Sequence, residues 1–163
     1  MRWAYFAGGC FWCITPTFRK LEGVSNVIAG FSGGAEQDPT YEAVKHQQTG
    51  HRETIAIHYD ENLVGYRTLL NLFLAGVDPF DAGGQFIDRG HSYTLAVYYG
   101  TEAEREMAHL AIDAIRVESG REPQIAVEPF TVFYPAGEEH QDYYRKHPEA
   151  FHRELVESGR VKA

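Results

Sequence analysis

The chain has 163 residues, 15 Lys and Arg against 23 Asp and Glu, a formal charge of −8 and two cysteines. A chain of this length buries a full core without covalent staples, so one domain over residues 1–163 is expected; the acidic balance argues against nucleic acid, which is bound through cations that displace counterions. No apolar run approaches the ~20 residues that span a bilayer, and residues 1–6 run into Gly8-Gly9 without a signal-peptide core, so a cytoplasmic protein with no membrane partner is expected.

Apolar patterns rich in Val, Ile, Tyr and Phe predict five strands, at residues 3–7, 24–31, 54–59, 92–99 and 125–133. The first helix lies between Cys10 and Leu21 and is stopped by Gly23. Its start has two solutions: Pro16 belongs in a first turn, which makes Thr15 the cap, or the helix begins near Cys10 and is distorted at Pro16. A second helix fits residues 64–74, with Leu69, Leu70, Phe73 and Leu74 as its buried stripe. The third, at 101–119, has Thr101 as N-cap, Glu102 and Glu104 in the electropositive first turn and Gly120 as its stop. A last helix covers 138–156, with a break or kink at Pro148. The order β-α-β-β-α-β-α-β-α carries no repeat or linker and predicts an α+β sandwich, helices covering one sheet. The longest loops, 33–39 and 78–90, are rich in Gly and Asp, and long loops in a compact domain are often functional.

The most informative stretch is Gly8-Gly9-Cys10-Phe11-Trp12-Cys13. A strand ends in two glycines that permit a tight turn, and Cys10 emerges at or near a helix N-terminus, where the dipole and unpaired N–H groups favour a thiolate. That is a nucleophile's position, although free cysteines are also common as small core residues. Zinc would need two further ligands; His46 and His51 are present, at a spacing unlike that of a zinc finger. Two bulky aromatics between the cysteines suit a substrate wall better than a dithiol redox loop.

Two further segments offer chemistry. Glu53 stands directly before the third strand, where apolar surroundings would hold its proton, as a general acid at neutral pH requires. The segment 85–93 offers Asp88 and Tyr93. Taken singly, Glu53 reads as a solvated strand-start residue, and Tyr41 and Tyr93 as half-buried aromatics with satisfied hydroxyls. None of the eight histidines is assigned a catalytic role.

Together with Gly30-Phe31-Ser32-Gly33-Gly34, Pro39-Thr40-Tyr41-x-x-Val44, Thr49-Gly50-His51-x-Glu53, Asp88-x-Gly90-x-x-Tyr93 and His140-Gln141-Asp142-Tyr143-Tyr144, the Gly-Cys-Phe-Trp motif resembles peptide methionine sulfoxide reductase type A, in order and spacing, over nearly the whole chain. The resemblance implies an α+β two-layer sandwich with a mixed sheet and a ferredoxin-like core. By position, Cys10 matches the nucleophile that attacks the sulfoxide sulfur and becomes a sulfenic acid, and Glu53 the acid that protonates the oxygen. Tyr41 and Tyr93 match the hydroxyls that hold that oxygen, Phe11 and Trp12 the aromatic wall around the substrate methyl, and Asp88 a supporting residue. The substrate implied is methionine-S-sulfoxide, free or in proteins, with thioredoxin as reductant and no cofactor or metal; the protein is expected to act as a monomer.

A sulfenic acid condenses with a nearby thiol. Many relatives carry that thiol in a C-terminal tail, but residues 158–163 contain no cysteine. Cys13 is therefore inferred as the resolving residue, provided the first helical turn lets the two sulfurs approach to ~2 Å. The sequence departs from the family pattern at Thr15, Ser92, Thr94 and Gly137, which bears on outer substrate contacts and leaves nucleophile and acid in place. A general thiol–disulfide oxidoreductase using Cys10-x-x-Cys13 is the competing reading.

Overall fold

The first strand, β1 (Arg2–Gly8), alternates large and small apolar residues, so Ala4 and Phe6 face one side of the sheet and Tyr5 and Ala7 the other. The computed structural model of the chain describes residues 1–157; the thiol-free segment 158–163 lies outside the described residues. Gly9, at φ 86, turns the chain into α1 (Phe11–Arg19), with Cys10 in the N-cap position. Of the two starts left open by the sequence, the earlier holds: Pro16 sits inside α1, and Phe11, Ile14 and Phe18 form its buried stripe.

β2 (Val24–Ser32) follows, then α2 (Tyr41–Lys45), a short helix that the sequence patterns did not predict, capped by the Thr40 hydroxyl on the Ala43 N–H. β3 (Arg52–Tyr59) and α3 (Tyr66–Ala75) match expectation within two residues. The 78–90 loop contains a two-residue hairpin, β4 (Gly84–Gln85) and β5 (Asp88–Arg89), and the predicted strand at 92–99 begins instead with a 3-10 turn, His91–Tyr93, before β6 (Leu95–Tyr99). α4 (Glu102–Ser119) has the expected ends: Thr101 Oγ1 accepts from the Glu104 N–H at 3.2 Å, and Gly120 closes it at φ 70.

The single strand predicted at 125–133 is a real miss. It is two strands, β7 (Ile125–Pro129) and β8 (Phe133–Pro135), on opposite edges of a six-stranded sheet of order β7-β6-β1-β3-β2-β8. Five gaps of ~4.8 Å would put the edges of a flat sheet ~24 Å apart, yet four residues of chain span at most ~14 Å. The sheet must therefore curl. Its inner face shows it: Tyr5 of β1 stacks on Phe130 at 4.0 Å and leans on Phe133 at 5.7 Å, and the Tyr98 hydroxyl of β6 donates to the Ser32 carbonyl of β2 at 3.3 Å. The helix expected at 138–156 is also broken, into a 3-10 turn, Glu138–His140, then α5 (Tyr143–Lys146) and α6 (Pro148–Glu157), with Pro148 at the expected break.

Helices α1, α3 and α4 cover the outer face through Phe18, Leu69, Leu70, Phe73, Ala108 and Ala111. β6 and β7 run parallel and the sheet's other pairings are antiparallel, so the fold is α+β with a mixed sheet. Within it, β1, β2, β3 and β6 stand in the order β6-β1-β3-β2 with α1 and α3 as connections, the ferredoxin-like arrangement. Because β1 and β2 run opposite to β3 and β6, the ends of the first two and the starts of the last two meet at one edge. Cys10, α2, Glu53 and Tyr93 all follow or begin these strands at that edge. Among the described residues no helix is long and apolar enough to cross a membrane.

Gly30 tests the closure of the sheet. A Cβ there would collide with the Phe133 ring and with the Tyr134 carbonyl, which is backbone and has no rotamer to escape into. Gly30→Ala is expected to cost about 1–3 kcal/mol of stability, read from urea denaturation; an unchanged midpoint would show that β8 is not held tightly on β2.

Candidate active site

Cys10 lies 6% exposed where β1 hands over to α1, and Glu53 is 1% exposed in β3, opposite Phe31 of β2. The N–H of Phe11, one of the first-turn donors that a helix leaves unpaired, donates to Glu53 Oε1 at 3.1 Å. The helix that Cys10 caps thus holds the carboxyl. Burial pushes the Glu53 carboxyl up most; the Phe11 N–H pulls it back, Asp88's charge pushes it up again, and the Tyr93 hydroxyl pulls it down by hydrogen bonding, leaving it at about 8. At neutral pH Glu53 carries its proton.

The Cys10 thiol is held well above its ordinary pKa, by its hydrogen bond with Cys13, by burial, and by the charges of Cys13, Glu53 and Asp88. The helix dipole, which favours a thiolate, is outweighed here first by the Cys13 hydrogen bond, then by burial and acidic neighbours. Tyr41 and Tyr93 are raised, first by burial and then by Glu53 and other acidic neighbours, so both keep their protons as donors. Asp88 acts on Cys10, Glu53, Tyr41 and Tyr93 alike. The structure thus gathers Cys10, Cys13, Tyr41, Glu53, Asp88 and Tyr93 in one place.

An aromatic cage stands beside them. Phe11 is fully buried as its floor, 5.8 Å from Phe31 and 6.1 Å from Tyr41, while Trp12 is half-buried and stacks on Tyr143 at 4.0 Å. His140, to which the sequence reading gave no role, stacks on Tyr41 at 4.1 Å and on Trp12 at 5.8 Å. Burial lowers its pKa, so it is neutral at pH 7. Trp12 Nε1 and His140 Nδ1 are buried with no hydrogen-bond partner among the described residues. The signal for His140 and Tyr143 was their polar-aromatic run after the last strand, which spacing alone could not place over Trp12.

Distant ties fix this cage. Gln141 pairs with β2 like an extra strand residue, accepting from the Ala29 N–H at 2.8 Å and donating to the Ala29 carbonyl at 2.9 Å. Asp142 takes two hydrogen bonds from Arg19 of α1, each 2.9 Å. Gln47 clamps the turn that carries Tyr93 through the Ser92 N–H and hydroxyl. Thr15, one of the departures, is buried and donates to the Phe11 carbonyl at 2.6 Å within α1. The histidines weighed as zinc ligands are engaged elsewhere: His51 accepts from the Gly34 N–H at Nδ1 and reaches the Glu36 carbonyl, and His46 pairs with Glu42.

Residues 2–163 match the family described as peptide methionine sulfoxide reductase. The peptide methionine sulfoxide reductase MsrA of Halalkalibacterium halodurans is 42% identical over 160 residues, covering 96% of this chain and 90% of that protein. The MsrA of Bacillus subtilis is 40% identical over 164 residues, with 97% and 90% covered. Among solved structures, reduced Mxr1 of Saccharomyces cerevisiae shares the fold with a TM-score of 0.85 at 24% identity, covering 91% of this chain and 86% of that one. Methionine sulfoxide reductase A of Corynebacterium diphtheriae superposes with a TM-score of 0.81 at 25% identity, covering 90% and 74%. The spacing of the motifs, the edge at which they meet and these likenesses agree: the chain belongs to the peptide methionine sulfoxide reductase family.

Proposed function

We propose that this chain, as a single catalytic domain over residues 1–163 acting as a monomer, reduces methionine-S-sulfoxide, free or in proteins, to methionine. The observation that carries the reading is the hydrogen bond that ties the buried Glu53 carboxyl, its pKa pushed up to about 8, to the turn that presents Cys10. A sulfoxide oxygen is a poor leaving group until it is protonated, so attack needs a thiol nucleophile and an acid together. A general thiol–disulfide oxidoreductase has no use for such an acid.

Cys10 attacks the sulfur while Glu53 protonates the oxygen, with Tyr41 and Tyr93 donating to it. The substrate methyl rests in the cage of Phe11 and Trp12, which excludes water. The S–O bond breaks as the protonated oxygen passes to the Cys10 sulfur and the transient bond between the two sulfurs is released; Cys10 is left as a sulfenic acid, its own proton has gone to the Glu53 carboxylate, and methionine leaves. Cys13, already hydrogen-bonded to Cys10, condenses with the sulfenic acid, expelling water and forming a disulfide. Thioredoxin supplies the two electrons that reopen it; one solved relative is described as Mxr1 of Saccharomyces cerevisiae in complex with Trx2. A cytoplasmic setting suits two free cysteines. Asp88 serves through its charge, which helps Glu53 keep its proton.

Turnover of a methionine-S-sulfoxide peptide is expected to vanish in Cys10→Ser, and retained activity there would overturn the assignment. Glu53→Gln should lower sulfoxide reduction about 10²–10³-fold, measured as methionine released, with any reduction of insulin disulfides unaffected. Wild-type protein given excess substrate and no reductant should lose the mass of two hydrogens; a gained oxygen would show that Cys13 does not resolve Cys10.

Glu53 also sets two pH dependences. Its carboxyl moves from an ordinary 4.5 to about 8 on folding, so between these values the folded chain binds a proton that the unfolded chain has released. Stability should therefore fall as pH rises from about 4.5 to 8, and denaturation of Glu53→Gln should lack that slope. Asp88→Asn removes a charge that raises the Glu53 pKa. The alkaline limb of kcat/KM should then move to lower pH, and an unmoved limb would remove Asp88 from this role.

A further inference from the structure

The short helix α2 begins with Tyr41 and ends in an unusual way. Past its last residue the Gln47 N–H donates to the Val44 carbonyl at 3.0 Å and the Gln48 N–H to the Ala43 carbonyl at 2.9 Å, the two bonds of a Schellman closure. Such a closure puts the residue after the cap in left-handed backbone, and Gln47 has φ 62. Glycine is the usual occupant, because a Cβ is disfavoured there. The helix end gives no reason for a glutamine, and strain of this kind gathers where a side chain has a task.

That side chain crosses to the turn His91–Tyr93. Its Oε1 accepts from the Ser92 N–H at 2.9 Å and its Nε2 donates to the Ser92 hydroxyl at 2.8 Å. Ser92 is 1% exposed, so these bonds satisfy groups that are costly to leave unpaired. The Gln47 amide lies against Gly90, where a Cβ would collide with its carbon, nitrogen and oxygen. His91 Nε2, 2.9 Å from the Gly50 carbonyl, adds an exposed second tie between the same two segments.

We propose that Gln47 is a positioning residue for sulfoxide reduction: by clamping Ser92 to the end of α2 it fixes the Tyr93 hydroxyl relative to that of Tyr41, so that both reach one sulfoxide oxygen. The proposal rests on the reading of the two tyrosines as oxygen donors. Those tyrosines stand on separate segments. α2 is set by the cage, through the Tyr41 ring on His140 and Phe11, and by Val44 in the core. Tyr93 belongs to a three-residue 3-10 turn between the 78–90 loop and β6. Two donors converge on one atom only if their segments are fixed to each other, and Gln47 grips the residue next to Tyr93. Its amide is occupied by Ser92, so it acts through the tyrosine and not on the substrate.

The test places Gln47→Gly in two backgrounds, the intact chain and Tyr93→Phe, and measures methionine released from a methionine-S-sulfoxide peptide. Glycine suits the left-handed backbone, so the thermal midpoint is expected to stay near that of the wild type while kcat falls about 10–100-fold. With Tyr93→Phe already present, the same change should add less than about twofold, because the hydroxyl it positions is gone. An undiminished kcat in Gln47→Gly, or an equal loss in both backgrounds, would overturn the proposal. If Tyr93→Phe itself leaves turnover intact, the role read for the tyrosine fails first, and this proposal with it. Gln47→Asn tolerates the same backbone but carries its amide one methylene short of Ser92; it should match Gln47→Gly, and full activity there would likewise overturn the clamp. The pH profile separates positioning from mere stability. Burial pushes the Glu53 carboxyl up, the Phe11 N–H pulls it down, Asp88 and Cys13 push it up and the Tyr93 hydroxyl pulls it down. Loosening Tyr93 should therefore move the alkaline limb of kcat/KM to higher pH in Gln47→Gly, opposite to the shift expected of Asp88→Asn, and an unmoved limb would count against Gln47 acting through Tyr93.

Discussion

The hydrogen bond from the Phe11 N–H to Glu53 joins the first turn of α1 to the second residue of β3, and the rest of the site is arranged around it. Removing a carboxylate from water costs several kcal/mol, while a hydrogen bond to a charged group returns only about 1.5–3 kcal/mol. With one backbone N–H and one tyrosine hydroxyl to offer, and Asp88's charge opposing ionisation, the neutral acid is the stable form near neutral pH. The same N–H belongs to the residue after Cys10, so Glu53 and Cys10 are positioned by one turn and cannot drift apart independently. Glu53 thus serves as a partner for the helix terminus as well as a proton store.

Such a bond requires β1's end and β3's start to lie side by side, which the antiparallel pairing of Phe6 with Ile55 secures. The curl of the sheet brings the chain from β7 across to β8 and delivers the 138–143 segment next to β2. There Gln141 acts as an additional strand residue against Ala29, and the Arg19–Asp142 pair ties the same segment to α1. The cage roof is therefore held from both layers of the fold. His140 and Tyr143 are separated from Trp12 by more than a hundred residues of chain, yet their rings stack within 5.8 Å of it.

Local chemistry was readable where it had a local cause. Thr101 and Gly120 mark the ends of α4 by capping and by a left-handed backbone, and both are visible in the sequence. The residues proposed as nucleophile, acid and oxygen-holding tyrosines were singled out through motifs, and the break at Pro148 through its missing donor. The division of residues 125–133 was not, because Phe130–Val132 reads as a continuing apolar pattern while the reason for the break is the opposite edge of the sheet. α2 was too short for periodicity to reveal. The raised Cys10 pKa escaped as well: its first cause, the Cys13 hydrogen bond, is local, but burial and the charges of Glu53 and Asp88 come from distant points of the chain.

That raised pKa changes how the proposed reaction must be organised. Sulfoxide plus thiol gives sulfide plus sulfenic acid with no net uptake of protons, since the hydrogen lost by Cys10 reappears on the oxygen it receives. A resting site with both Cys10 and Glu53 protonated holds one proton more than the attack itself consumes. Glu53 can give its proton to the oxygen while Cys10 gives up its own, and the carboxylate so formed is a neighbouring base that can receive it. Each group makes the other's transfer easier: loss of the Glu53 proton creates the base, and loss of the Cys10 proton creates the nucleophile. Nucleophilicity then appears only when a bound sulfoxide accepts the first proton, so the buried thiol stays in its less reactive protonated form until a substrate arrives.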